Sequence, residues 1–228
     1  MSKINILAFD SVDSTSTYAK NNAATLPLPS LIIANSQTAG RGRRGNSFYS
    51  PENTGLYMTV VFEAPVDCTL LTPKAAVAVC QALEEYGIYP QIKWVNDLFL
   101  NSKKVCGILS ECFISEGRTL VAVGVGINLK TEYFPDELPM AGSINLECNK
   151  SKLAEEIACR ILSEFHSEAV ICEYRKRLFV LGKEISFVRN GNTYTGCAVD
   201  INENCNLKVK LTDGSLETLS SGEISIKI

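Results

Sequence analysis

The chain holds one histidine, His166, and one tryptophan, Trp94, in 228 residues. A single imidazole disfavours a zinc site, and none of the nine cysteines stands in a C-x-x-C pair. No structural metal is expected. The cysteine count is odd, and Cys80, Cys106 and Cys159 sit in apolar segments. That fits reduced thiols in a cytoplasmic protein better than a disulfide framework. His166 reads as a surface or boundary residue of a helix. No apolar run approaches the roughly 18–20 residues that cross a bilayer. Met1 to Leu7 carries one charge and a very short apolar stretch before Asp10, which reads as a first strand and not as a signal peptide. Repeats and low-complexity tracts are also missing. The net charge of −3 and the pI of about 5.4 argue against a general nucleic-acid binder.

What is present is an ordinary globular composition, 46% hydrophobic and 21% charged, long enough for one α/β domain and a small appendage. Ile4–Phe9, Leu31–Ala34, Leu56–Phe62, Ile92–Trp94, Leu98–Leu100, Lys104–Phe113 and Leu120–Ile127 read as strands. Asn101-Ser102 and Glu116-Gly117 supply hairpin turns. Asp13-Ser14-Thr15-Ser16-Thr17 offers helix caps before Tyr18, and Thr72-Pro73 opens a helix that Gly87 ends. Ser151 opens another, with Leu153, Ile157, Ile161 and Phe165 in one stripe, and Glu173–Leu178 continues or follows it. After Gly182 the pattern changes to short alternating strands, at Ile185, Tyr194, Leu207 and Glu223. Asn190-Gly191, Asn202-Glu203-Asn204 and Asp213-Gly214 separate them. The expected organisation is a catalytic domain over residues 1–180 and a small β-barrel over 181–228, which needs the main domain to pack against.

Three of the eight arginines fall within four positions, at Arg41, Arg43 and Arg44. A local cationic loop on an acidic chain points to a small anionic ligand. Gly40-Arg41-Gly42-Arg43-Arg44-Gly45 matches G-x-G-x-x-G and follows a strand. A dinucleotide fold needs a helix to start at that loop, however, and Asn46 to Gly55 contains Pro51 and makes a poor helix. A phosphate-cradling G-x-x-x-x-G-K-S loop fails likewise, because Asn46-Ser47 stands where Lys-Ser is required. There remains a flexible, glycine-hinged loop within the long polar stretch Gln37–Thr54, with guanidiniums suited to carboxylate or phosphate.

A second cluster gathers Lys93-Trp94-Val95-Asn96-Asp97 and Lys103-Lys104 around one hairpin. Cations, an amide and a carboxylate together suit an ATP triphosphate with Mg²⁺, which is held by one or two carboxylates plus phosphates. Val123-Gly124-Val125-Gly126-Ile127-Asn128 ends another strand. Its glycines read either as a bulge or as a place where backbone approaches a ligand closely.

Asp13-Ser14-Thr15, Gln37-Thr38-Ala39 with Gly40–Gly45, Lys93 to Leu98, Lys104-Val105-Cys106-Gly107-Ile108-Leu109 and Gly124 to Asn128, in this order and spacing, resemble the biotin–protein ligases. Ser221-Gly222-Glu223-Ile224-Ser225 is similar to that family's C-terminal signature. The resemblance covers nearly the whole chain. It implies an α/β catalytic domain with a mixed sheet, similar to class II aminoacyl-tRNA synthetases and lipoate ligases, and an SH3-like C-terminal domain. It implies the monofunctional class without an operator-binding domain. ATP with Mg²⁺ and biotin would be the substrates, and a biotin carboxyl carrier protein the partner; a homodimer is admitted, while nucleic acid and membrane are not expected.

By resemblance, Lys104 bridges the biotin carboxylate and the α-phosphate. Arg41 and Arg43 belong to the loop that closes over them, together with Gly40. Arg43, Arg44, Lys93, Asn96, Asp97, Lys104 and Asn128 face the nucleotide, with Asp97 toward Mg²⁺ and as a base for the carrier lysine. Ser14, Thr15 and Gln37 meet the ureido ring. Gly107, Gly124, Gly126 and Trp94 shape the slot. Phe48, Ser16 and Val95 stand where the family often has Trp, Asn and Pro. A lipoate or octanoate ligase, which needs a longer greasy tunnel and no ureido partners, and a non-catalytic biotin sensor are the rival readings.

Overall fold

Asn101-Ser102, Glu116-Gly117 and Asn190-Gly191 each take positive φ at both residues (50° and 63°, 49° and 73°, 49° and 77°). That is the backbone a tight hairpin requires, so these dipeptides fix the registers of three strand pairs. The computed structural model describes residues 3–64, 68–164 and 169–226. Phe165 and His166, placed on a helix by the sequence pattern, lie outside the described residues.

Seven strands form the larger sheet: β1 (Asn5–Val12), β2 (Ser30–Gln37), β3 (Gly55–Glu63), β4 (Gln91–Lys93), β5 (Asp97–Leu100), β6 (Lys103–Ser115) and β7 (Arg118–Asn128). Their spatial order is β1-β2-β3-β7-β6-β5-β4. β1 and β2 are parallel and the remaining pairs antiparallel, so the sheet is mixed. The parallel pair needs a crossover, and helix α1 (Thr15–Asn21) lies within it, capped by Ser14, whose hydroxyl accepts from the Thr17 amide. Helices α2 (Leu71–Glu84), α3 (Lys150–Glu164) and α4 (Val170–Arg177) share one apolar core with β3, β6 and β7.

Two helix starts differ from the sequence reading. α2 begins at Leu71 and no side chain caps it, so Thr72-Pro73 falls inside the first turn, where a missing N–H costs nothing. α3 is capped by Asn149, whose Oδ1 accepts from the Lys152 amide at 3.0 Å, and not by Ser151. Gly87 does end α2, at φ 74°.

The smaller sheet comprises β8 (Glu184–Arg189), β9 (Asn192–Ile201), β10 (Leu207–Leu211), β11 (Leu216–Leu219) and β12 (Ile224–Ile226), in the order β11-β10-β9-β8-β12. Only four strands were legible here. β11 is four residues long, with Glu217 and Thr218 at its centre, and only its pairing with β10 defines it. Ile185, Ala198, Leu207, Val209 and Ile224 belong to the same buried cluster as α2 and α3. Trp94 Nε1 donates to the Cys205 carbonyl at 2.9 Å, and Arg175 of α4 donates to the Ile201 carbonyl of β9 at 3.1 Å. The small sheet is thus stabilised by the large one, as its size requires.

Candidate active site

Side chains alternate across a strand. In β7 this sends Val123, Val125 and Ile127 into the helix-covered core, and turns Gly124 and Gly126 toward the opposite face. Gly126 pairs across the sheet with Gly107 of β6. The two together make a flat patch, and the ring of Phe48 lies on it. A Cβ at Gly107 would stand 3.1 Å from Phe48 Cε2, and one at Gly126 would overlap the ring. A Cβ at Gly124 would stand 2.5 Å from Ser16 Oγ. The close approach expected at these glycines is therefore made, within the chain itself, by Phe48 and Ser16.

Gly40–Phe48, the glycine-hinged loop of the sequence, is closed as a hairpin. Phe48 N donates to Gly40 O at 2.8 Å, Gly42 N to Asn46 O at 2.7 Å and Asn46 N to Arg43 O at 3.0 Å, around a 3-10 turn at Arg43–Gly45. Arg44 sits at the tip in the left-handed region, φ 54°. Gly40 is constrained by contact: a Cβ there would overlap the Phe48 carbonyl and lie 2.7 Å from Ser50 Oγ.

A cavity of about 310 Å³ opens between this hairpin, α1, β6, β7 and the end of the small sheet. One end is neutral. Thr15 N and Thr15 Oγ1 both donate to Gln37 Oε1, at 2.9 and 3.2 Å. Because a backbone amide can only donate, the oxygen of Gln37 must face Thr15, and Nε2 then donates to Ser50 Oγ at 2.8 Å. Ser50 Oγ passes its proton toward the Phe48 carbonyl at 2.9 Å. With the Thr15 proton committed to Gln37, Thr59 Oγ1 donates to Thr15 Oγ1 at 2.8 Å, and Ser16 Oγ donates to Thr59 at 3.2 Å. The direction of every proton from Ser16 to Phe48 is thereby fixed. Ser14, Thr15, Ser16 and Thr59 are all buried.

The other end is charged. Among the lining residues are four cations, Arg41, Arg43, Lys93 and Lys104, and two carboxylates, Asp97 and Glu223. Asn96 is clamped to β6: its Nδ2 donates to the Ile108 carbonyl at 2.9 Å, and its own carbonyl accepts from Ile108 N at 3.0 Å. Its Oδ1 then accepts from Arg43 Nη1 at 3.2 Å. Lys104 Nζ lies 2.8 Å from Asp97 Oδ1, an ion pair whose angles fall outside hydrogen-bond geometry. Burial, and then the nearby Lys104 charge, lower the Lys93 pKa, against the raising effect of Asp97 and Glu223. Burial and the neighbouring Arg44 likewise lower that of Arg43. Crowded, partly desolvated cations of this kind are relieved by an anion.

Not every expected residue faces the cavity. Trp94 lines it but spends its N–H on Cys205. Arg41 reaches the rim and lies 3.7 Å from Glu111, which also pairs with Lys20 at 2.7 Å. Gly40 lies behind the hairpin, on a second, more apolar hollow with Tyr49 and Leu138. Arg44 points toward Gly222 of the small sheet. Asn128 is buried and donates to the Gly142 carbonyl at 2.9 Å, so it braces the segment that runs beside Lys104. Missed in the sequence were Ser50, Thr59, Glu111 and the role of Glu223, which accepts from Asn46 Nδ2 at 2.9 Å. Thr59 left one signal, a hydroxyl in the middle of an apolar strand.

Both parts of this architecture, the mixed-sheet domain and the small β-sheet that closes one end, match protein families. Residues 8–128 match the Biotin/lipoate A/B protein ligase family, to which the chain belongs, and residues 180–227 match the Biotin protein ligase C terminal domain. Over 127 residues it is 42% identical to the bifunctional ligase/repressor BirA of Bacillus subtilis; that match takes in 53% of this chain and 38% of the relative, so the chain spans well under half of that protein's length. It is 26% identical over 211 residues to the biotin–[acetyl-CoA-carboxylase] ligase of Mycobacterium tuberculosis, covering 85% of this chain and 77% of the other. The biotin protein ligase of Aquifex aeolicus, solved in complex with biotin and ATP, superposes with a TM-score of 0.83 at 25% identity over 98% of both chains. No helix among the described residues is long and apolar enough to cross a membrane.

Proposed function

We propose that the chain joins the carboxylate of biotin to the α-phosphorus of ATP and then passes the biotinyl group to a lysine of a biotin carboxyl carrier protein. The observation that carries this reading is the division of one cavity into a neutral hydrogen-bonding end and a cationic end. The ureido ring of biotin is uncharged and needs neutral donors and acceptors, which Ser14, Thr15, Ser16 and Gln37 supply. Its carboxylate and the triphosphate are anions that repel each other. Lys104, Lys93, Arg43 and Arg41 offset that repulsion and hold the reactants in line.

In the first step a carboxylate oxygen forms a bond to the α-phosphorus, and the bond to pyrophosphate breaks. Lys104, between the two anionic groups, stabilises the charge that builds up there. Mg²⁺ would accompany the triphosphate and offset its charge, and Asp97 is the carboxylate that would hold it. Asn96 holds Arg43, so the hairpin is positioned to cover the mixed anhydride and keep water from it. In the second step the carrier amine attacks the acyl carbon, AMP leaves, and the amine proton is lost, with Asp97 as the base. The companies of the Aquifex aeolicus and Mycobacterium tuberculosis proteins in sequence and fold support biotin over lipoate, and so does the hydroxyl–amide relay, which a dithiolane ring could not use.

The test is transfer. Purified chain, ATP, Mg²⁺ and biotin are incubated with a biotin carboxyl carrier domain, and the carrier is analysed by mass spectrometry. One biotinyl group on a single carrier lysine is the expected result. An unmodified carrier, with biotin bound but not consumed, would leave a binding protein instead of a ligase.

A further inference from the structure

Two cysteines that the proposed reaction does not use stand together at the surface. Cys112 is exposed on β6, and Cys68 is half-buried in the segment that enters α2. Their sulfurs are 3.7 Å apart, across 44 residues of chain. The fold brings them together for a definite reason. Glu111, one residue earlier, points to Lys20 of α1, so strand alternation turns Cys112 to the other face, where α2 packs. Cys68 is anchored there by its carbonyl, which accepts from Leu71 N in the first turn of α2. Cys80 and Cys106 form the contrast: both are buried in the core, and burial raises their pKa values, that of Cys80 to about 12, which makes them inert.

We propose that Cys68 and Cys112 are a modification site, a dithiol that a low-molecular-weight disulfide such as oxidised glutathione converts to a reversible intramolecular disulfide. The exposed Cys112 thiolate attacks the glutathione disulfide, forms a mixed disulfide and releases one glutathione thiolate. Cys68, its proton lost to solvent, then attacks Cys112 Sγ, forms the protein S–S bond and releases the second glutathione. Two protein thiols are oxidised and one disulfide is reduced to two thiols, so electrons and protons balance. A disulfide needs its sulfurs about 2.05 Å apart. Rotation of the two side chains, or a shift of the loop that carries Cys68, has to close the remaining distance. The bridge would close a long loop and tether the segment Cys68–Pro73 to β6, which stabilises by restricting the unfolded chain. Thr69, Thr72 and Pro73 of that segment also line a cavity of about 350 Å³ shared with Arg43, so the bridge restrains one wall beside the arginine hairpin.

The experiment uses the full chain. It is exposed to oxidised glutathione, blocked with N-ethylmaleimide and digested without reduction for mass spectrometry, and a parallel sample is melted. The expected result is a Cys68–Cys112 cross-linked peptide, two hydrogens lighter than the sum of its parts, and a Tm several degrees above that of the reduced chain; dithiothreitol reverses both. Cys112→Ser, at an exposed position, should fold with the Tm of the reduced wild type and show no rise on oxidation. Recovery of both cysteines as maleimide adducts, stable glutathione on Cys112 in place of the bridge, or a Tm rise that persists in Cys112→Ser would overturn the proposal.

Discussion

At the neutral end of the cavity, Thr15 and Thr59 are 3% and 0% exposed, and each of their hydroxyls is committed in a fixed direction. At the charged end, the side chains of Lys104 and Asp97 are 35% and 22% exposed, and their ion pair misses hydrogen-bond geometry. The first region is finished in the free protein, and its cost and benefit are already part of folding stability. The second is unfinished, with cations brought close without enough carboxylate to balance them. Changes at the neutral end should therefore register in stability and in recognition of the neutral group. Changes at the charged end should register in chemistry and hardly in folding.

The largest effect is expected from Lys104→Ala. It should slow adenylate formation by at least about a hundredfold, the scale of removing one donor to developing charge, while Tm moves little, because a partly exposed ion pair contributes only about 0–1 kcal/mol. Single-turnover measurement of adenylate formation checks it; a near-normal rate removes Lys104 from the mechanism. Next comes Arg43→Gly, which should let adenylate escape, seen as labelling of lysines on bystander proteins. Absence of such labelling would count against a sealing role for the hairpin.

Thr59→Val reverses the balance. It leaves the Ser16 and Thr15 hydroxyls each short of a partner, at about 1–3 kcal/mol for each buried group left unpaired. Tm should fall and biotin binding weaken about tenfold, with ATP binding unchanged; equal loss for both ligands would show that the two ends are not separate. A smaller effect concerns Lys93. Its lowered pKa means that it gives up its proton at lower pH than an ordinary lysine. Below that pH the ammonium holds the triphosphate, and ATP affinity is lost as pH rises through the lowered value. The unfolded chain keeps that proton longer, so the same charge costs folding stability at neutral pH and the cost fades on the alkaline side. Lys93→Arg should move the alkaline limb of ATP binding upward. The smallest effect is expected from Glu111→Gln. It should free Arg41 and Lys20 with a stability change of about 0.2–1 kcal/mol, the range for partly exposed pairs, and alter biotin KM before kcat.

The contrast between the two ends also explains what could be read from the sequence. Charged residues announce themselves by clustering, so Arg41, Arg43, Arg44, Lys93 and Lys104 stood out as candidates for meeting anions, with Asp97 the carboxylate among them, and Asn101-Ser102 and Glu116-Gly117 stood out as turns. Of the relay, the family resemblance supplies only Thr15 and Gln37, with Ser14 beside them. Thr59 and Ser50 join it through strand register and a hairpin return; Thr59 leaves only its hydroxyl in an apolar strand as a signal, and Ser50 leaves none. Phe48 was visible as a departure from the family, but its seat on Gly107 and Gly126 depends on the pairing of β6 with β7. Asn128, read beside two glycines as a nucleotide contact, has its amide nitrogen held by the Gly142 carbonyl, while its buried side-chain oxygen has no hydrogen-bond partner among the described residues. The fifth strand of the small sheet, Leu216–Leu219, was too short and too polar to stand out before its partner was known.

The most direct test of the account is ATP–pyrophosphate exchange by the purified chain, with biotin, lipoate and octanoate offered separately. Exchange is expected with biotin and not with the other two, because only biotin engages both ends of the cavity. Exchange supported by lipoate or octanoate, or no exchange despite tight binding of biotin, would contradict it.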